Sequence, residues 1–202
     1  MHPEESSAPA PSSPVEGGPA DPARGRGLQG VNVYLVGMMG AGKSAVGPPL
    51  AEALGYRFID ADQVLEQAAG RSIAEIFARD GETGFRSQET EVLSQIATWH
   101  SLVVATGGGV VTRMENWGHM QQGIVVWLDV QESVLLRRLT SGPGHRPLLA
   151  VADPVTRIHQ LLEERGPLYG GADIRIRPAA TDTAEAVADT IAGEIMQLPG
   201  VN

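Results

Sequence analysis

The chain has 202 residues, 42% of them hydrophobic and only 4% aromatic, with a formal net charge of -9. At roughly 100 to 200 residues per domain, that length holds one compact domain with chain to spare, its core built from Leu, Ile, Val and Ala. The acidic balance excludes a broad nucleic-acid-binding face, which needs clustered Lys and Arg; the lack of cysteine excludes disulfides and thiolate metal sites; and no apolar run nears the roughly 20 residues that span a bilayer.

Residues 1–27 carry Pro3, Pro9, Pro11, Pro14, Pro19 and Pro22 among Ser, Ala and Gly, with no hydrophobic periodicity. Such a composition does not bury enough to offset its ordering entropy, so a disordered tail is expected before a domain over 28–202. Glu4, Glu5, Glu16 and Asp21 oppose a secretory or organelle leader, and together with the missing cysteine they point to the cytoplasm.

From residue 31 onward short apolar runs alternate with helical patterns. Strands are expected at 31–36, 58–59, 102–106, 124–128 and 174–176, several of them nearly continuous in apolar residues, as strands buried on both faces are. Helices are expected at 43–54, 72–79, 85–98, 132–140, 154–164 and 183–196. Alternation of this kind implies an α/β fold: an open parallel sheet of about five strands with helices on both faces. Ligands of such sheets bind beyond the carboxyl ends of the strands.

Gly37-Met38-Met39-Gly40-Ala41-Gly42-Lys43-Ser44 follows the first strand and opens the first helix, and it matches G-x-x-x-x-G-K-[ST]. Glycines let successive peptide N–H groups curl around phosphate oxygens, the helix terminus adds positive potential, and the ammonium of Lys43 reaches the β- and γ-phosphates. Lys43 is the only lysine beside fourteen arginines. Ser44 is the expected hydroxyl ligand of Mg²⁺. Pro48 and Pro49 fall in the second turn of the same helix, where each removes a backbone donor, so an early kink or a re-phased helix is expected.

Asp60 and Asp62 close the second strand, spaced to share one side while the chain stays extended. One is suited to a water of a magnesium shell and the other to substrate hydroxyls; the alternative is that Asp62 caps the next helix. Thr106-Gly107-Gly108-Gly109 follows the third strand and permits close backbone approach by a ligand. Gly84-Phe85-Arg86 opens a helix, His145-Arg146-Pro147-Leu148-Leu149 sits in a Gly- and Pro-containing stretch, and Glu164-Arg165-Gly166-Pro167-Leu168-Tyr169 ends another helix. Taken singly, each of these arginines reads as a surface residue.

Taken in order, these pieces resemble the shikimate kinase family over about residues 30–177. The resemblance implies a P-loop kinase of the nucleoside-monophosphate-kinase type with a mobile lid at about 140–153, transferring the γ-phosphoryl group of ATP to the 3-hydroxyl of shikimate, with Mg²⁺ as cofactor. It implies that Gly37, Gly40, Ala41, Gly42, Lys43, Ser44 and Ala45 hold the nucleotide phosphates, and that Ser44 and, through water, Asp60 hold the metal. By the same resemblance Asp62 and Gly107, Gly108 and Gly109 meet the substrate ring, Arg86 and Arg165 grip its carboxylate, and Arg146 closes over the transferring group. Lys43, Asp62 and Arg146 are then the catalytic set. Arg138 is similar to the arginine that packs on adenine, with Arg137 beside it as the other choice. Ala45, where a second hydroxyl often stands, and the Pro48-Pro49 pair depart from the family pattern. The expected partners are ATP and shikimate, with no nucleic acid or membrane, and the chain is expected to be a monomer. The alternatives are another small-metabolite kinase of gluconate type and a kinase-like regulatory protein without catalysis.

Overall fold

In the computed structural model, residues 28, 30–141 and 153–199 are described. Five strands, β1 (Val33–Val36), β2 (Arg57–Asp60), β3 (Leu102–Ala105), β4 (Ile124–Leu128) and β5 (Ile174–Ile176), form one sheet in the order β2-β3-β1-β4-β5. All neighbours are parallel, and Val33 of β1 stands opposite Val103 on one side and Ile124 on the other. The three central strands are buried on both faces, which is why they read as unbroken apolar runs. Edge strand β2 is only half covered and gave the weakest strand signal.

The connection from β1 to β2 steps one way across the sheet, and every later connection steps the other way. Right-handed crossovers therefore place α1 (Lys43–Leu54) on one face and the connecting helices α2 (Ala61–Ala69), α3 (Ile73–Ile96), α4 (Met114–Met120), α5 (Glu132–Ser141) and α6 (Pro154–Tyr169) on the other. The last helix, α7 (Ala184–Ile195), returns to pack on α1. Its Val187, Ala188, Ile191 and Ile195 form the buried stripe, and α1 offers Val46, Leu50, Ala51 and Leu54. Leu50 is fully buried, so Leu50→Ala would cost about 2–5 kcal/mol through lost contact and a residual cavity. The crossover direction reverses at β1, which opens a crevice beyond the ends of β1 and β3.

Helix α1 runs through Pro48 and Pro49 as a single 12-residue element. The carbonyls deprived of helical partners are those of Ser44 and Ala45, four residues earlier, and both residues are exposed. Two helices went unread: α2, started by the Asp60 cap, and the seven-residue α4, too short for a periodicity. The expected helices at 72–79 and 85–98 are two arms of α3 joined at Gly81, whose φ of 68° and ψ of -176° suit glycine alone. Ser72 and Glu75 close a reciprocal capping box at its start. The 140–153 segment begins inside α5 and ends at Asp153, the N-cap of α6; residues 142–152, with Arg146, lie outside the described residues, as do 1–27. Among the described residues no helix is long and apolar enough to cross a membrane.

Candidate active site

The loop between β1 and α1 forms the floor of the site. Gly40 and Gly42 have φ of 80° and 99°, a left-handed conformation in which a side chain is strained. Gly42 caps α1 without a side-chain hydrogen bond, and the first turn carries no acidic residue, so the positive end of the helix is left for an anion. Lys43 is buried to 7% exposure, and its Nζ donates to the carbonyls of Gly37 at 2.7 Å and Met38 at 3.0 Å. The ammonium is thereby folded back along the loop rather than extended into solvent. Ser44 Oγ donates to Asp60 Oδ2 at 2.6 Å, setting a hydroxyl and a carboxylate side by side at the mouth of the loop.

Asp60 serves both the site and the fold. Its other oxygen, Oδ1, accepts from the peptide N–H of Asp62 at 3.1 Å and of Gln63 at 3.4 Å, making Asp60 the N-cap of α2. Asp62 is therefore not the capping residue, and its carboxylate stays with the site. Burial first, then the neighbouring carboxylates of Asp60 and Glu89, push the Asp62 carboxyl up to about 6, against the pull of Lys43 and Arg86.

Gly107, Gly108 and Gly109 leave β3 and meet everything else. A Cβ on Gly107 would stand 2.5 Å from Glu89 Oε1 and 3.0 Å from Asp62 Oδ1, one on Gly108 would stand 2.9 Å from the Met39 nitrogen, and one on Gly109 would overlap the Arg86 guanidinium. At Gly108 the obstacle is backbone, so no side chain fits, whereas a side chain at Gly107 or Gly109 would have to displace the Glu89 and Asp62 carboxylates or the Arg86 guanidinium.

Arg86 and Arg165 both reach this loop, from α3 and α6. Arg86 is buried and pairs through Nη1 with Glu89 Oε2 at 2.7 Å, one helical turn on, with a longer bond to Glu82 at 3.4 Å. Arg165, 3% exposed, donates from Nη1 to the Gly108 carbonyl at 3.2 Å. Its burial, and the positive charge of Arg86, hold its pKa below the usual arginine range. Arg86 Nε, Arg165 Nε and Glu89 Oε1 are buried with no hydrogen-bond partner among the described residues. Unpaired donors on two converging cations are a gap that an anionic ligand would fill.

A cavity of about 570 Å³ runs from the phosphate loop past Asp60, Asp62, Thr106 and Gly108 to Arg138, Pro178, Asp182 and Thr183. Arg138 Nη1 donates to the Gly40 and Ala41 carbonyls at 3.0 and 3.3 Å, which places this arginine over the loop. The far wall, Pro178 and the start of α7, was not read from the sequence. Its one sequence mark is the Thr183 cap signal, since Thr183 Oγ1 accepts from the Ala186 N–H at 3.2 Å. Glu89 was missed as well, though its i,i+3 spacing from Arg86 on a helix was a usable signal.

The comparisons agree with this geometry. The family model described as shikimate kinase matches residues 39–196. The shikimate kinase of Synechococcus sp. (strain RCC307) is 58% identical over 187 residues, covering 90% of this chain and 95% of its own. Among solved structures, shikimate kinase from Acinetobacter baumannii in complex with shikimate superposes with a TM-score of 0.80 at 41% identity, over 84% of this chain and 94% of that one. The shikimate kinase from Bacteroides thetaiotaomicron gives 0.75 at 33% identity, over 83% and 99%. With a phosphate loop, a glycine triplet and two buried arginines in the family's order, and matches spanning nearly all the described residues, the chain belongs to the shikimate kinase family.

Proposed function

We propose that the protein transfers the γ-phosphoryl group of ATP to the 3-hydroxyl of shikimate, giving 3-phosphoshikimate and ADP. The observation that carries the reading is the pair of buried guanidiniums at Gly108 and Gly109 with unpartnered Nε atoms. A small cyclic polyol bearing one carboxylate supplies the anion they lack and hydroxyls for Asp62. Gluconate and a nucleotide phosphate would also give these cations an anion, and the choice of shikimate over them is supported by the match to shikimate kinases over most of the chain. An inactive relative would not need to keep so costly a charge cluster.

In this reading the phosphates of ATP lie on the peptide N–H groups of Gly40, Gly42, Lys43 and Ser44, with Gly37 turning the chain into the loop; Ala41 and Ala45 line the same loop, but their N–H groups donate to the Met38 and Gly42 carbonyls, each at 3.0 Å. The Lys43 ammonium follows the β- and γ-oxygens, and the base lies between Arg138 and Pro178. The hard oxygens of Ser44 and Asp60 suit Mg²⁺, which takes few protein ligands and keeps waters and substrate phosphates for the rest. Mg²⁺ held by these residues would supply positive charge to offset that of the phosphates. Asp62 accepts from the attacking hydroxyl and orients it; Gly107, Gly108 and Gly109 close against the ring; Arg86 and Arg165 fix the carboxylate. Arg146 is assigned to closure over the transferring group by resemblance to the family. Positioning and charge neutralisation, more than a strong base, then lower the barrier. A monomeric, cytoplasmic enzyme is part of this reading, as the sequence leads one to expect.

The test is a coupled assay of ADP release with shikimate, gluconate and nucleoside monophosphates as acceptors. Turnover with shikimate alone is expected. Preference for another acceptor, or no turnover with any, would overturn the assignment.

A further inference from the structure

Tyr169 lies one turn beyond Arg165 on α6, and its side chain is fully buried. Its hydroxyl donates to the Gly108 carbonyl at 2.6 Å, the same oxygen that receives Arg165 Nη1 at 3.2 Å. The phenol ring is held from behind. It stacks on Trp127 of β4 with centroids 5.6 Å apart and planes 22° from parallel, and the Arg175 guanidinium lies 4.3 Å from the Trp127 ring centre. Arg175 is itself fixed by Asp129 Oδ2, which accepts from Nε at 2.9 Å and Nη2 at 2.7 Å. A ring clamped in this way has little rotameric freedom, so its hydroxyl is a fixed point. Burial raises the phenol's pKa, and the group stays a donor throughout the working pH range.

What the hydroxyl holds is a single peptide plane. The Gly108 carbonyl and the Gly109 N–H belong to one planar unit, and the structure contains no cis peptide among its described residues, so the two point in opposite directions. Pinning the carbonyl toward α6 turns the Gly109 N–H away from α6. Glycine has no side chain to resist rotation about its own dihedrals, so without an external tie this plane would sample several orientations. The fit of the loop leaves little tolerance, since Gly108 abuts Met39 and Gly109 abuts Arg86.

We infer that Tyr169 is a positioning residue for the acceptor: by bonding the Gly108 carbonyl it sets the orientation in which the Gly109 N–H meets shikimate. The inference rests on the shikimate kinase reading given above. Tyr169 touches neither substrate. It acts through the peptide it holds.

Tyr169→Phe keeps the ring, its burial and the Trp127 stack while removing the hydroxyl. The expected result is a shikimate KM raised roughly five- to tenfold, the change that loss of one hydrogen bond gives, with the KM for ATP within about twofold and Tm nearly unchanged, since Arg165 still satisfies the Gly108 carbonyl. Titration calorimetry of shikimate with the intact variant checks the same loss at equilibrium. A lowered Tm with both KM values unchanged would assign Tyr169 to packing alone and overturn the inference. So would equal rises in both KM values, which would mean a general disturbance of the site. Wild-type enzyme, assayed in parallel, separates the two readings: no turnover of shikimate by wild type overturns both, whereas an active wild type and an unaltered Tyr169→Phe overturns this one alone.

Discussion

Arg86 and Arg165 are assigned to the same carboxylate, yet the structure makes their removal differ. Arg86 is the partner of buried Glu89 at 2.7 Å. Arg86→Met would strand that carboxylate, and breaking a buried pair costs about 3–5 kcal/mol; at ~2–4 °C per kcal/mol for a domain of this size, Tm should fall by roughly 6–20 °C. Burial already raises the Glu89 pKa, and losing the cation raises it further. A carboxyl whose folded pKa lies above its unfolded one contributes stability at low pH that is lost as pH rises through the folded value, so the Tm deficit of Arg86→Met should shrink on acidification. Arg165 has no carboxylate partner among the described ion pairs, and its contact with the Gly108 carbonyl is backed by Tyr169. Arg165→Met removes a poorly compensated buried charge, and Tm should move by no more than ~3 °C in either direction. Both variants should lose about 2–5 kcal/mol of shikimate affinity, roughly 30- to 5,000-fold in Kd. Thermal denaturation at two pH values and titration calorimetry with a non-hydrolysable ATP analogue present measure the two effects separately. If Arg165→Met melts as early as Arg86→Met, or binds shikimate within about threefold of wild type, the division of roles is wrong.

Three further outcomes are expected. With the Asp62 carboxyl at about 6, kcat/KM for shikimate should fall about tenfold per pH unit below that value as the acceptor of the substrate hydroxyl is protonated; a profile flat to roughly pH 5 would place that contact elsewhere. Acylation by a lysine-selective reagent has only Lys43 and the chain's amino terminus to modify, and should abolish turnover unless ATP·Mg²⁺ is present; undiminished activity of fully labelled protein would remove Lys43 from the phosphate site. Deleting residues 1–27 should leave turnover and Tm unchanged, and a marked drop in Tm would show that this composition docks after all.

The P-loop, the aspartates and the glycine triplet were legible as residue types with a restricted job, whereas Arg86 and Arg165, which read singly as surface residues, were found only through the resemblance to the family. Gly108 abuts a backbone nitrogen, and no other residue fits. Lys43 stands alone among arginines. What was not legible depends on pairs made by folding. Glu89 had a usable i,i+3 signal from Arg86, but its burial with that partner comes only from folding, and Tyr169 acquires its meaning from a carbonyl 61 positions away in sequence. Neither residue type announces such a partner. Pro48 and Pro49 do not end α1, which runs on for 12 residues, and the two residues whose carbonyls lose a helical donor, Ser44 and Ala45, are exposed. Helix α2 was hidden because its start is fixed by Asp60, whose charge also reads as a metal neighbour.

The return of α7 onto α1 bears on how the protein matures during synthesis. The phosphate loop leaves the ribosome early, but β1 needs β3 and β4 as neighbours, and the nucleotide cavity takes part of its wall from Thr183, Ala184 and Val187 at the start of α7, about 140 residues after Lys43. A nascent chain halted before α7 holds the whole signature for ATP and cannot yet enclose it. Until the final helix emerges, the apolar stripe of α1 also lacks its cover, so the interval between translation of α1 and docking of α7 is when a chaperone has most to hold. Nucleotide competence arrives last, with the segment of the chain farthest in sequence from the motif that announces it.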